Sequence, residues 1–162
     1  MEVKMKNFVL KGDICYSVSP TEMKTLSGYA VCMDGRCQGV FEILPAEYSS
    51  LELHDYTGKL IIPGMVDLHI HAPQYAFRGM GMDAELIEWL NTQTFPEEAK
   101  YKDLEYAKKA YTIFTENMKK SATTRASIFA TRHVDATKLL MDLMEQTGIV
   151  SYVGKVNMDR FA

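Results

Sequence analysis

After Pro63-Gly64 the chain runs Met65-Val66-Asp67-Leu68-His69-Ile70-His71, a stretch in which apolar and polar side chains alternate. Alternation with period two is the pattern of a β-strand, whose successive side chains leave opposite faces. It predicts Val66, Leu68 and Ile70 on one face and Asp67, His69 and His71 on the other, on a strand central to the fold. Histidines two residues apart stand roughly 6.5 Å apart along a strand, a gap that one metal ion can bridge. A bare His-x-His pair more often decorates a solvated strand. A strand followed by helices on both sides of a sheet has few solvated faces, however, and three polar groups on a covered face need a cation or a hydrogen-bond network.

The surrounding pattern supplies such helices. Asp83 is placed to cap a short helix carrying Leu86, Ile87 and Leu90, and Asp103 a longer one carrying Leu104, Ala107, Tyr111, Phe114 and Met118. Residues 124–131 read as a strand. Asp135 is placed to cap a third helix with Leu139, Leu140, Leu143 and Met144, closed by Gly148 before the apolar run 149–153. Strand, helix, strand, helix, strand implies parallel strands joined by crossovers, the opening of a doubly wound sheet or a (β/α) barrel. Residues 1–62 differ: short strands over 7–16, 29–33 and 36–43, the last two joined by the Asp34-Gly35 hairpin turn. That turn sets Cys32 across from Cys37.

Several function classes are excluded. With 18 Lys plus Arg against 21 Asp plus Glu the net charge is -3, so no basic field draws in nucleic acid. No run reaches the roughly 18 apolar residues of a membrane span, and Phe8-Val9-Leu10 is too brief for a signal-peptide core. The three cysteines, an odd number, argue for reduced thiols and a cytoplasmic protein. The His-x-Glu and Pro-Cys-x-x-Cys zinc signature of nucleobase-editing deaminases is absent. Gly79-Met80-Gly81 lacks the third glycine and preceding strand of a dinucleotide-binding turn.

Pro63-Gly64-Met65-Val66-Asp67-Leu68-His69-Ile70-His71 resembles the Pro-Gly-x-x-Asp-x-His-x-His signature that ends the first barrel strand of the amidohydrolase superfamily. Ala72-Pro73-Gln74-Tyr75, Glu88-Trp89-Leu90-Asn91, Thr94-Phe95-Pro96, Phe129-Ala130-Thr131 and Val153-Gly154-Lys155-Val156 are similar to its guanine-deaminating branch. The resemblance covers about residues 60–160. It implies an α/β fold, a partial (β/α)8 TIM barrel of the metal-dependent hydrolase type over 63–162, preceded by a β-rich segment, 1–62, of a small composite β-sandwich.

It also implies a reaction: water replaces the amino group of guanine, giving xanthine and ammonia. His69 and His71 are then the first two metal ligands, with zinc (Zn) or iron as the metal, and Gln74 contacts the purine. A carboxamide sets an acceptor beside a donor, which suits a guanine edge carrying both. The partner is a small molecule, with no nucleic acid and no membrane, and a homodimer is compatible with the pattern. About three strands of an eight-stranded barrel fit in the 162 residues. The remaining ligands and the proton-shuttling glutamate are therefore expected beyond Ala162, no catalytic residue is expected within the chain, and the chain alone is expected to be inactive. Aminohydrolases acting on another purine, a pterin or a triazine would use the same histidines, and a catalytically inert fragment is the other alternative. Two positions depart from the pattern: Ala122 stands where the family usually has glycine, and Arg125 where a small or hydroxyl residue is common.

Trp89 is expected in the core beside Leu86, Ile87 and Leu90, His133 as a hydrogen-bonded structural residue, and His54 carries no assignment. Lys108-Lys109 and Lys119-Lys120 read as the solvated side of a helix.

Overall fold

The structure is a computed structural model in which residues 6–158 are described. The chain divides into two compact units, Met1–Pro63 and Gly64–Ala162.

The first unit is a four-stranded sheet in the order β3-β2-β1-β4. β1 (Phe8–Ser19) and β2 (Glu22–Met33) pair antiparallel, β2 continues antiparallel into β3 (Arg36–Phe41), and β4 (Glu52–Ile61) lies parallel to β1. Asp34 and Gly35 both take positive φ, 50° and 73°, the left-handed pair that matches strand twist in a two-residue hairpin. Cys32 accordingly faces Cys37 across the ladder, and both thiols are free. Burial, then the neighbouring Cys37, raises the pKa of Cys32. Val9 and Val31, register partners, are fully buried, with Ile14 and Ala30 beside them.

β4 and the first half of β2 go beyond the sequence expectation. Both are mostly exposed and rich in charged or small residues, so neither carries an apolar period. β3 stops at Phe41, short of the expected Ile43.

The second unit is a parallel three-stranded sheet, β5 (Met65–His71), β6 (Thr123–Phe129) and β7 (Val150–Gly154), in that order. Between β5 and β6 the chain forms a short turn of helix at Pro73–Phe77, then α1 (Leu86–Trp89), α2 (Phe95–Ala99) and α3 (Leu104–Met118). α4 (Val134–Glu145) joins β6 to β7. Ala107, Tyr111, Phe114 and Met118 form the buried stripe of α3, and Ala136, Leu140 and Met144 that of α4. Both stripes pack with Ala126 and Ile128 of β6 into one core, with Ile70 and Val153 against it. The four lysines at 108, 109, 119 and 120 are exposed.

Asp103 caps α3, its carboxylate accepting from the Glu105 amide at 2.9 Å. The other two expected caps shift. α1 starts from Glu85 rather than Asp83. α4 starts from His133, with Asp135 inside its first turn, where a negative charge still suits the helix dipole. The Thr137 hydroxyl closes that turn on the carbonyls of His133 and Thr131. Ala122 has no positive φ, so its replacement of the family's glycine carries no backbone strain. No helix among the described residues is long and apolar enough to cross a membrane.

Among the described residues β5 pairs on one side only, with β6, and β6 pairs with both β5 and β7. Of the apolar set on β5, Ile70 packs on the core while Val66 is 54% and Leu68 77% exposed. Truncation should separate the two environments. Phe114→Ala, in the fully buried stripe, is expected to cost about 3–5 kcal/mol in urea unfolding. Leu68→Ala should stay within about 0.5 kcal/mol of the parent. Equal losses would contradict this assignment of core and edge.

Candidate metal centre

The C-terminal end of β5 and the turn after it carry the polar residues of interest. His69 Nε2 and His71 Nε2 lie 3.0 Å apart, and the rings sit 5.0 Å centroid to centroid. Asp67 does not join them. The β5–β6 pairing slips by one residue, from Asp67 opposite Ala126 to Ile70 opposite Ile128. A bulge of this kind re-aims side chains. The Asp67 carboxylate turns to its own strand and accepts from the His69 amide at 3.1 Å. The expected row of three thus becomes a pair.

Phe129, which sequence reasoning did not assign to the site, seats that pair. It is the register partner of His71. Its ring stacks on His71 at 4.7 Å and 11°, and lies 4.8 Å from His69. The signal available in the sequence was position: Phe129 ends the strand after β5, at the end of a parallel sheet where ligands bind. Partial burial, then His69, lowers the pKa of His71 and favours its neutral, lone-pair-bearing form.

Two neutral imidazoles at this spacing can share one hydrogen bond, or both can direct lone pairs at one cation. Bonds of about 2.0–2.1 Å from imidazole to zinc allow nitrogens about 3 Å apart to share an ion. Borderline-soft imidazole donors suit zinc or iron. The residues present therefore fit part of a metal site. Among the described residues no third His, Cys, Asp or Glu completes the set.

An open cleft of about 610 Å³ runs from the histidines past Gln74, Tyr75, Arg78, Trp89 and Leu90. Gln74 is half-buried on the Pro73–Phe77 turn. Arg78 donates to the Tyr75 carbonyl at 2.8 Å and lies 4.0 Å over the Tyr75 ring. Trp89 is half-buried and walls the cleft. Its indole donates to the Met80 carbonyl at 3.0 Å, and Gly81, at φ +64°, leaves no room for a Cβ beside the indole.

Behind the turn lies a buried polar group that sequence reasoning also missed. Glu98 on α2 is 7% exposed, and burial pushes its carboxyl up to about 7, against the pull of Arg132. Burial raises the Tyr101 and Tyr111 phenols far above their usual range, with Glu98 adding to both. His133 donates to the Glu98 backbone carbonyl, and burial lowers its pKa. Among the described residues, His133 Nε2 is buried without a partner, as are the hydroxyls of Thr94, Thr131 and Tyr111. His54, 3.5 Å from Glu52 and edge-on to Phe8, belongs to the first unit.

The family model described as "Amidohydrolase family" matches residues 60–161. Guanine deaminase of Mus musculus is 41% identical over 115 residues, 71% of this chain and 24% of that protein. Guanine deaminase of Dictyostelium discoideum is 31% identical over 172 residues, 94% of this chain and 38% of that protein. A crystal structure of guanine deaminase from C. acetobutylicum with bound guanine in the active site superposes with a TM-score of 0.89 at 42% identity. It covers 95% of this chain and 37% of that one. The chain thus spans about a quarter to two-fifths of the length of the relatives it matches.

Glu98 makes stability depend on pH. Its folded pKa is above the unfolded value of 4.5, so between about pH 4.5 and 7 the unfolded chain sheds a proton that the folded chain keeps. Stability is undiminished below pH 4.5, falls as pH rises through about 7, and stays reduced above it. Glu98→Gln removes this titration. The variant should gain on the parent between pH 4.5 and 8, by up to about 3 kcal/mol in urea unfolding. Parallel pH profiles would show that Glu98 ionises normally.

Proposed function

The chain belongs to the amidohydrolase family, and from that premise we propose that it forms the first part of a metal-dependent aminohydrolase that converts guanine and water to xanthine and ammonia. The observation that carries the reading is the convergence of His69 Nε2 and His71 Nε2 at 3.0 Å, at the head of a cleft also lined by Gln74. Similarity to guanine deaminases over most of the chain supports guanine as the substrate. In this reading β5, β6 and β7 open a (β/α)8 barrel over residues 63–162, and residues 1–62 form the β-rich part of a composite sandwich.

His69 and His71 would hold the metal, zinc in preference to iron, as two of the three protein ligands of a catalytic site. When bound, a divalent ion supplies a water acidified to near neutrality and oriented toward the substrate. Phe129 keeps the two imidazoles facing each other, so their lone pairs need little reorganisation. Gln74 holds the purine edge with its paired acceptor and donor. The remaining ligands and the carboxylate that carries protons to the departing amine belong to other parts of the full-length enzyme. A cytoplasmic homodimer acting on a free small molecule, with no nucleic acid or membrane partner, completes the reading.

The test uses the full-length enzyme. It should release ammonia from guanine and not from a pterin or a triazine. Gln74→Ala should raise KM for guanine by about five- to a hundredfold while metal content stays at the parent level, the loss of a pair of buried hydrogen bonds. Preferred turnover of a pterin or triazine would replace guanine as the substrate, and an unchanged KM would remove Gln74 from the site.

A further inference from the structure

The turn that carries Gln74 is held from below by a side chain 28 residues along the chain. Tyr101, fully buried, donates its phenol to the Pro73 carbonyl at 3.1 Å. Pro73 is the first residue of the turn and directly precedes Gln74. Tyr101 itself has little freedom. It sits in the tight link Lys100–Lys102 between α2 and α3, which the Asp103 amide closes on the Lys100 carbonyl. Its ring is edge-on to Tyr106 at 5.3 Å and tilted against Tyr111 at 4.8 Å. Tyr106 is fixed in turn by a hydrogen bond from its phenol to Glu97.

The contrast with Tyr111 shows that this bond is not a by-product of packing. Both phenols are fully buried in the same stack, yet among the described residues the Tyr111 hydroxyl has no partner while that of Tyr101 meets the turn. Other ties of the turn lie on either side of Pro73: the Ala72 amide bonds the Phe129 carbonyl at 3.0 Å, the Tyr75 amide bonds the Ala72 carbonyl at 3.2 Å, Arg78 bonds the Tyr75 carbonyl at 2.8 Å, and the Tyr75 ring packs edge-on to Phe114 at 5.5 Å. Tyr101 bonds the residue directly before Gln74 from the buried side, while Arg78, outside the core, bonds the carbonyl of Tyr75 directly after it. A contact group held by its backbone before substrate arrives avoids an ordering cost on binding.

We infer that Tyr101 is a positioning residue for substrate binding, acting through the Pro73 carbonyl to fix the turn that presents Gln74 to the purine edge. The inference rests on the reading of Gln74 as a guanine contact. Tyr101 touches neither substrate nor metal, so its loss changes KM and leaves kcat and metal content in place.

The experiment is a double-mutant cycle in the full-length enzyme, with guanine as substrate and Tyr111→Phe as control. Tyr101→Phe is expected to raise KM about three- to tenfold, the size of one lost hydrogen bond, at unchanged kcat and metal content. In the Gln74→Ala background the same substitution should add nothing, because the group it positions is gone. Tyr111→Phe, which deletes an unpartnered hydroxyl, should leave KM alone. Amide exchange at residues 74–77 should quicken in Tyr101→Phe and not in Tyr111→Phe. A KM rise in Gln74→Ala with none in Tyr101→Phe overturns the positioning role alone, as do effects that multiply or an equal rise in Tyr111→Phe. A fall in kcat or metal content alongside KM means general loosening and overturns it too. If Gln74→Ala leaves KM unchanged, the reading of Gln74 fails and this inference fails with it.

Discussion

Parallel pairing between β5 and β6 positions nearly everything of functional interest in the second unit. It sets His71 opposite Phe129, so that one aromatic ring seats both imidazoles. It hands Ile70 to the core beside Ile128 and ties the start of the next turn, at Ala72, to the Phe129 carbonyl. The one-residue slip between Asp67 and Ile70 belongs to the same pairing. Without it a strict period of two would line Asp67 up with the histidines. With it, the carboxylate serves its own backbone and the imidazoles are left to each other.

Helices α3 and α4 do the complementary work. Their buried stripes cover one face of β6 and leave the histidine side of the sheet open. That arrangement also buries polar groups behind the turn. Glu98, Tyr111, Thr94, Thr131 and His133 lie in or at the edge of the core, several with atoms that have no partner among the described residues. Burying such groups costs stability. Tyr101, in the same stack, turns its burial to use by holding a backbone carbonyl of the site.

Much of this was legible in the sequence, for physical reasons that differ by element. The Asp34-Gly35 hairpin was legible because only a few residue types accept two successive left-handed conformations. α3 was legible from its stripe and from Asp103, whose cap bond is local. His69 and His71 stood out because the period-two pattern sets both imidazoles on one face of a strand whose neighbouring helices leave few solvated faces. What stayed hidden depends on non-local pairing. β4 joins β1 in parallel, so no hairpin turn announces it, and its exposed residues carry no period. The slip that removes Asp67 and the seat that Phe129 provides both follow from register with β6, more than fifty residues away. Likewise Asp83 and Asp135 are good capping residues, yet α1 starts from Glu85 and α4 from His133, neither of which makes a side-chain cap bond.

The central claim is that His69 and His71 are ligands of one metal ion. Anomalous diffraction from crystals of the full-length enzyme grown with zinc, collected at the zinc absorption edge, tests it most directly. The expected result is a single strong peak about 2.0–2.1 Å from the Nε2 atoms of both His69 and His71. A peak bonded to other residues, or an active enzyme whose two imidazoles bond only to each other, would contradict it.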